Sequence, residues 1–209
     1  MDKRIIIEKF RANWQTATKY LSLRDMTSID EVVITSINRA HKPSVQRGLK
    51  LGKGQSTTKP RQEVAEYLAE KIKAQLENNS ITADKFDAWV AESCITIRSI
   101  YRKYGIEDYT LGNAQKLFNM TIKYILSSDI IDYNIKLFEV CHLPIDSVIM
   151  KQANSLLGVK PMNHSWSNTD VWDDILTYQK AIRVAIKNTA TPYAIFWEIE
   201  NWQKGIAKE

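Results

Sequence analysis

The chain has 209 residues, 44% of them hydrophobic and 25% charged, with six Trp and nine Tyr, a mixture that excludes a disordered or fibrous chain and fits one compact unit. No run approaches the ~18 to 20 apolar residues that cross a bilayer, and the start MDKRIIIEKF has charge on both sides of a short apolar run, so neither a membrane span nor a signal peptide is expected. Cys94 and Cys141 stand far apart without a CxxC spacing, which points away from structural zinc and towards a reducing, cytoplasmic compartment, while the net charge of +5 favours anionic partners.

Taken in chain order, the pattern predicts helix after helix. Ile5, Ile6, Phe10, Trp14, Ala17 and Leu21 recur at helical spacing, as do Val32, Val33, Ile37 and Ala40, and Ser28 followed by Glu31 forms a capping-box pattern before the second set. Residues 41–62, HKPSVQRGLKLGKGQSTTKPRQ, carry six Lys or Arg and no acid among three Gly and two Pro, which predicts a basic flexible loop. Pro60 suits the first turn of the next helix, and Thr82 is the expected cap of a further one that stops at Gly105.

Beyond the loop IEDYTLG, the stretch LGNAQKLFNMTIKY reads as an amphipathic helix and IIDYNIKLFEVCH as another. Pro144 opens PIDSVIMKQANSLLG, a Trp-containing turn MNHSWSNTD follows, and two helices, DVWDDILTYQKAIRVAIKN and PYAIFWEIENWQKGI, close the chain. No alternating strand pair or internal repeat is present, so the expected fold is all-α, with eight or nine helices in one domain spanning 1–209, built as one lobe or two packed lobes.

Two residues draw attention at the helix openings. Lys116 lies near the start of its helix, where the macrodipole disfavours a cation, and Asp146 follows Pro144 at a helix start, where an acid is favoured on structural grounds alone. Gly112, Gln115-Lys116 opening an apolar helix, and Pro144-Ile145-Asp146 opening another thirty residues later together resemble the helix-hairpin-helix DNA glycosylase superfamily. Within it they are most similar to the archaeal-type 8-oxoguanine glycosylases, in which a Gln-Lys pair follows the hairpin and a Pro-Val-Asp tripeptide comes later. The resemblance covers residues 82–202. Gly105 and Gly112 are further apart than the hairpin's glycines, Leu117 stands in place of a Thr, and Ile145 in place of Val.

The resemblance implies a glycosylase that excises a damaged or chemically modified base without metal or organic cofactor, acting as a monomer on DNA. Lys116 would be the amine that attacks the sugar, and Asp146 the carboxylate that activates it and steadies the positive sugar; in a monofunctional enzyme Asp146 alone carries excision. The base would be flipped into a pocket. Tyr193 and Trp197, four apart on one helical face, are candidates for it together with Gln115 and His142, with Trp202 one turn further and Trp166 and Trp172 behind them. Lys42, Arg47, Lys50, Lys53, Lys59 and Arg61 of the basic stretch, and Gly112 of the hairpin, would contact the DNA backbone. The alternatives are a non-enzymatic helical DNA-binding or regulatory protein that uses only the basic stretch, and an interaction module, such as a phage-defence or counter-defence component, that binds a protein or a nucleotide signal.

Overall fold

A computed structural model describes the backbone of residues 2–17, 26–45, 49, 51–77 and 80–206, and their side chains except at 12–17, 45 and 203–206. Among the described residues the protein is all-α, with nine α-helices, one 3-10 turn and no strand. The helices are α1 (Lys3–Ala17), α2 (Ile29–Val45), α3 (Thr58–Glu77), α4 (Ala83–Lys103), α5 (Leu111–Leu126), α6 (Leu137–Val140), α7 (Ser147–Leu157), α8 (Trp172–Ile186) and α9 (Ala194–Ile206), with the 3-10 turn at Trp166–Asn168. None is long and apolar enough to cross a membrane.

Helix α5 organises the molecule. All sixteen of its residues are buried, so what reads as an amphipathic stretch is enclosed on every side. It packs on α2 and α4, with α3 against that pair; α9 gathers α1, α6, α7 and α8 on the other flank. The polar side chains of α5 survive burial because each finds a partner. Asn113 donates from Nδ2 to the Ser44 carbonyl at 2.6 Å, Gln115 pairs with both backbone groups of Ile145 at 3.0 and 3.2 Å, and Thr121 donates to the Leu117 carbonyl.

Several expectations are corrected at the edges. Helix α1 buries Ile7 and Phe10, whereas Ile5 is exposed; Leu21 lies outside the described residues. The basic stretch is less of a loop than its glycines and prolines imply. Helix α2 runs through Pro43 to Val45, the proline falling in its last turn, and α3 already begins at Thr58. The helix expected over IIDYNIKLFEVCH contracts to α6, because Asp132 accepts the Asn134 amide at 2.8 Å in a local turn. Helix α7 starts at Ser147, so Asp146 is its N-cap and not a first-turn residue. The starts and stops around α4 follow the sequence: Thr82 caps it through the Lys85 amide, and Gly105 follows it at φ 76°.

Candidate active site

Lys116 and Asp146, thirty residues apart in sequence, meet at 2.6 Å between Nζ and Oδ2. Helix α5 supplies the lysine from its second turn, and the N-cap of α7 supplies the carboxylate, whose Oδ1 accepts the Ile149 amide at 2.8 Å. Gln115 fixes the two elements relative to each other by clamping the Ile145 backbone. The Trp202 indole N–H donates to Asp146 Oδ2 at 3.2 Å, and the Lys116 ammonium lies 5.9 Å from the centre of the Trp166 ring. The pair is thus flanked by two tryptophans, with side-chain exposures of 6% for the lysine and 14% for the aspartate.

Burial pushes the Asp146 carboxyl up, but the charge and hydrogen bond of Lys116, the Ile149 amide and the charge of Lys123 outweigh it and hold the group below the usual carboxylate range. The hydroxyl of Tyr178 on α8 is buried with no hydrogen-bond partner among the described residues, and burial together with the Asp146 charge pushes its pKa up. A second, wholly buried pair lies seven residues along α5, where Lys123 Nζ approaches Glu198 of α9 at 2.9 and 2.7 Å from its two oxygens.

The other residues singled out in the sequence are dispersed. His142 is buried among α4 and α8 side chains, with Nε2 at 2.8 Å from Asp87, which Arg183 grips with two nitrogens at 2.6 and 3.1 Å. Its ring packs edge-on against Phe86, so its contacts do not bring it to the Lys116–Asp146 pair. Tyr193 is half-buried beneath the Lys3 ammonium, and Trp197 is buried; it is Trp202 that reaches Asp146. Lys42, Lys53 and Lys59 are exposed and Arg61 is half-buried, while Arg47 and Lys50 lie outside the described residues.

Gly112 is held by contacts within the protein. Its amide donates to the Thr169 carbonyl at 2.8 Å, and its neighbours are equally occupied: the Leu111 amide by Asp170 at 2.9 Å, the Asn113 amide by the Thr110 hydroxyl at 3.1 Å. Arg98 and Arg102 each hold Asp170 at 2.9 Å. The N-terminus of α5 therefore has these amides satisfied from within and offers none at Gly112 to a phosphate. The glycine answers instead to packing, because a Cβ there would sit 1.7 Å from the Trp166 carbonyl oxygen.

Among the described residues no cluster of three or more His, Cys, Asp or Glu could hold a metal ion. Sequence reasoning missed the Lys123–Glu198 pair and the part played by Trp202; a lysine two turns beyond Lys116 on an otherwise uncharged helix was the available signal. Comparisons of the chain with protein-family models, with curated proteins and with solved structures give no match.

Proposed function

We propose that the chain is a DNA glycosylase whose reacting centre is the Lys116–Asp146 pair. The observation that carries the reading is the meeting of these two side chains at 2.6 Å, nearly buried, where α5 abuts the cap of α7. In an excision step the C1′–N bond of an extruded nucleotide breaks and its electron pair leaves with the base, which takes up a proton. Asp146, held ionised by its surroundings, faces the positive charge that grows on the sugar and stabilises it in a site largely shielded from water. Water then adds to C1′ and gives up a proton, leaving an abasic site. In the lyase version the Lys116 ammonium hands its proton to the departing base, and the freed amine bonds C1′; the C1′–O4′ bond then opens as a nitrogen proton passes to O4′, and the resulting Schiff base permits β-elimination of the 3′ phosphate.

The test is release of free bases from DNAs carrying oxidised, deaminated, alkylated or bulky modified bases. Wild type and Asp146→Asn are compared, with borohydride trapping of wild type and Lys116→Gln. Release by wild type that is lost in Asp146→Asn is expected; no release from any DNA overturns the reading. One observation favours a second reading, an interaction module. A cleft of about 700 Å³ between the α7–α8 connection and α8, lined by Val159, Met162 and Val184, leaves Val184 76% exposed. The absence of both base release and DNA binding would favour it.

A further inference from the structure

The excision chemistry proposed above uses one buried ion pair, and the protein buries two. Lys123 and Glu198 have side-chain exposures of 3% and 0%, deeper than Lys116 and Asp146. Enclosing a charge pair this completely strips both ions of their water, and apolar side chains of similar volume commonly pack at least as stably. Burial accordingly pushes Lys123 down and Glu198 up, each partly opposed by its partner. Stability alone is a poor reason for such a pair.

Its position supplies another. Lys116 and Lys123 are seven residues apart, two turns along one face of α5, and α9 meets Lys123 through Glu198 and Trp202. Trp202 spans the gap. Its N–H donates to the Asp146 oxygen that also takes the Lys116 ammonium, and the Lys123 ammonium lies 5.1 Å from the centre of its ring. Phe10 of α1 closes the other side of Lys123 at 4.8 Å. Glu198 holds Lys123, Lys123 seats the indole, and the indole holds the carboxylate.

We infer that Lys123, Glu198 and Trp202 form a positioning unit for Asp146, which fixes the carboxylate in place for the excision step. The inference rests on the glycosylase reading for its consequence in rate, but not for the linkage itself. Among the described residues, the charges that act on Asp146 are those of Lys116 and Lys123 from α5, and Asp146 in turn acts on Glu198 of α9 and Tyr178 of α8. Of these, only Lys116 touches the carboxylate directly, and Trp202 is the link to the second pair.

Two variants separate positioning from packing. Trp202→Phe keeps a ring and removes the N–H; the double variant Lys123→Met with Glu198→Leu replaces the buried pair with apolar bulk and should fold at least as stably as wild type. The readouts are the Asp146 carboxyl titration followed by ¹³C NMR, and kcat and KM for base release as a function of pH. In both variants the Asp146 titration and the acid limb of kcat should move to higher pH: Trp202→Phe removes a donor to the carboxylate, and the double variant removes both the favourable Lys123 charge and the seat of the indole, which outweighs the loss of the opposing Glu198 charge. Near neutral pH, kcat should fall at least about tenfold with KM little changed, the effect of one lost hydrogen bond to a charged group. Folded variants with an unmoved Asp146 titration overturn the inference, as does an unchanged kcat in an active enzyme. A wild type that releases no base overturns the glycosylase reading instead, and the NMR titration alone then decides whether the unit acts on Asp146.

Discussion

Gly112→Ala separates two meanings of one glycine. In an exposed helix this substitution stabilises by about 1 kcal/mol, because alanine restricts the unfolded chain and favours the helix. Here the new methyl would lie 1.7 Å from the Trp166 carbonyl oxygen and 2.8 Å from its carbon, whereas real Cβ contacts essentially never fall under 3.0 Å. The obstacle is backbone and cannot rotate aside, so the segment around the 3-10 turn must withdraw from α5. Withdrawal strains the bonds from the Gly112 amide to Thr169 and from the Leu111 amide to Asp170. Overpacking at about 1–3 kcal/mol and two weakened hydrogen bonds at about 1 kcal/mol each, less the helix gain, give a net loss of about 2–4 kcal/mol. For a chain of this size that is a fall in Tm of roughly 5–15 °C. Circular-dichroism melts of wild type and Gly112→Ala measure it, with excision assayed well below the transition, where displacement of Trp166 from Lys116 should also slow the reaction. A variant that melts at or above wild type, with DNA affinity reduced, would refute the packing argument and return the glycine to phosphate binding.

Other outcomes follow from the same geometry. His41 is held between the Thr57 hydroxyl at 3.2 Å and the Tyr101 hydroxyl at 2.6 Å, and burial, helped by the Arg61 charge, lowers its pKa from 6.5 to about 4. The unfolded chain therefore binds this proton first as pH falls, so about 3 kcal/mol of stability present above pH 6.5 is lost by about pH 4; urea titrations across that window should show a flatter pH dependence for His41→Gln. Asp87 follows the carboxylate pattern: burial is outweighed by the His142 and Arg183 hydrogen bonds, which hold it at about 2, so its contribution is present above pH 3.8 and disappears as pH falls through about 2. Asp87→Asn should remove that acid sensitivity in the same titrations. Lys116→Met strands the Asp146 carboxylate and should cost about 3 kcal/mol in urea unfolding, with Lys116→Met plus Asp146→Asn, which keeps an oxygen for the Ile149 amide, recovering most of it. If the basic stretch meets DNA, exchanging Lys53, Lys59 and Arg61 for Gln should flatten the slope of log affinity against log salt by about one per lost contact, readable by fluorescence anisotropy.

Much of the architecture was legible because it is written locally. Thr82 and Gly105 mark the limits of α4 by capping and by a left-handed turn, both of which depend on a few adjacent residues. Lys116 and Asp146 could be paired from a resemblance, and the structure brings them together, yet the meaning of α5 could not be read. Asn113, Gln115 and Lys123 look like a solvated face, and only partners 30 to 75 residues away, Ile145 and Glu198 among them, allow that face to be buried. Choosing among Tyr193, Trp197 and Trp202 likewise required the rotation of α9 about its own axis, set by packing against α1 and α7 and invisible to a four-residue spacing. Gly112 is opaque for a related reason: a glycine can serve close backbone contact or phosphate approach, and the close contact seen here depends on the 3-10 turn more than fifty residues further on.

Enclosure of α5 on every side also governs which motions the protein tolerates. Amides in a helix with no exposed residue exchange with solvent only when the whole domain opens, so the stretch bearing Lys116 should be the slowest-exchanging part of the chain. The surfaces that would meet a ligand, the start of α3 and the α7–α8 connection, lie outside that protected core. They can fluctuate, lengthen or change side chains while the amine and its carboxylate keep their register, leaving recognition free to diverge around an unchanging centre.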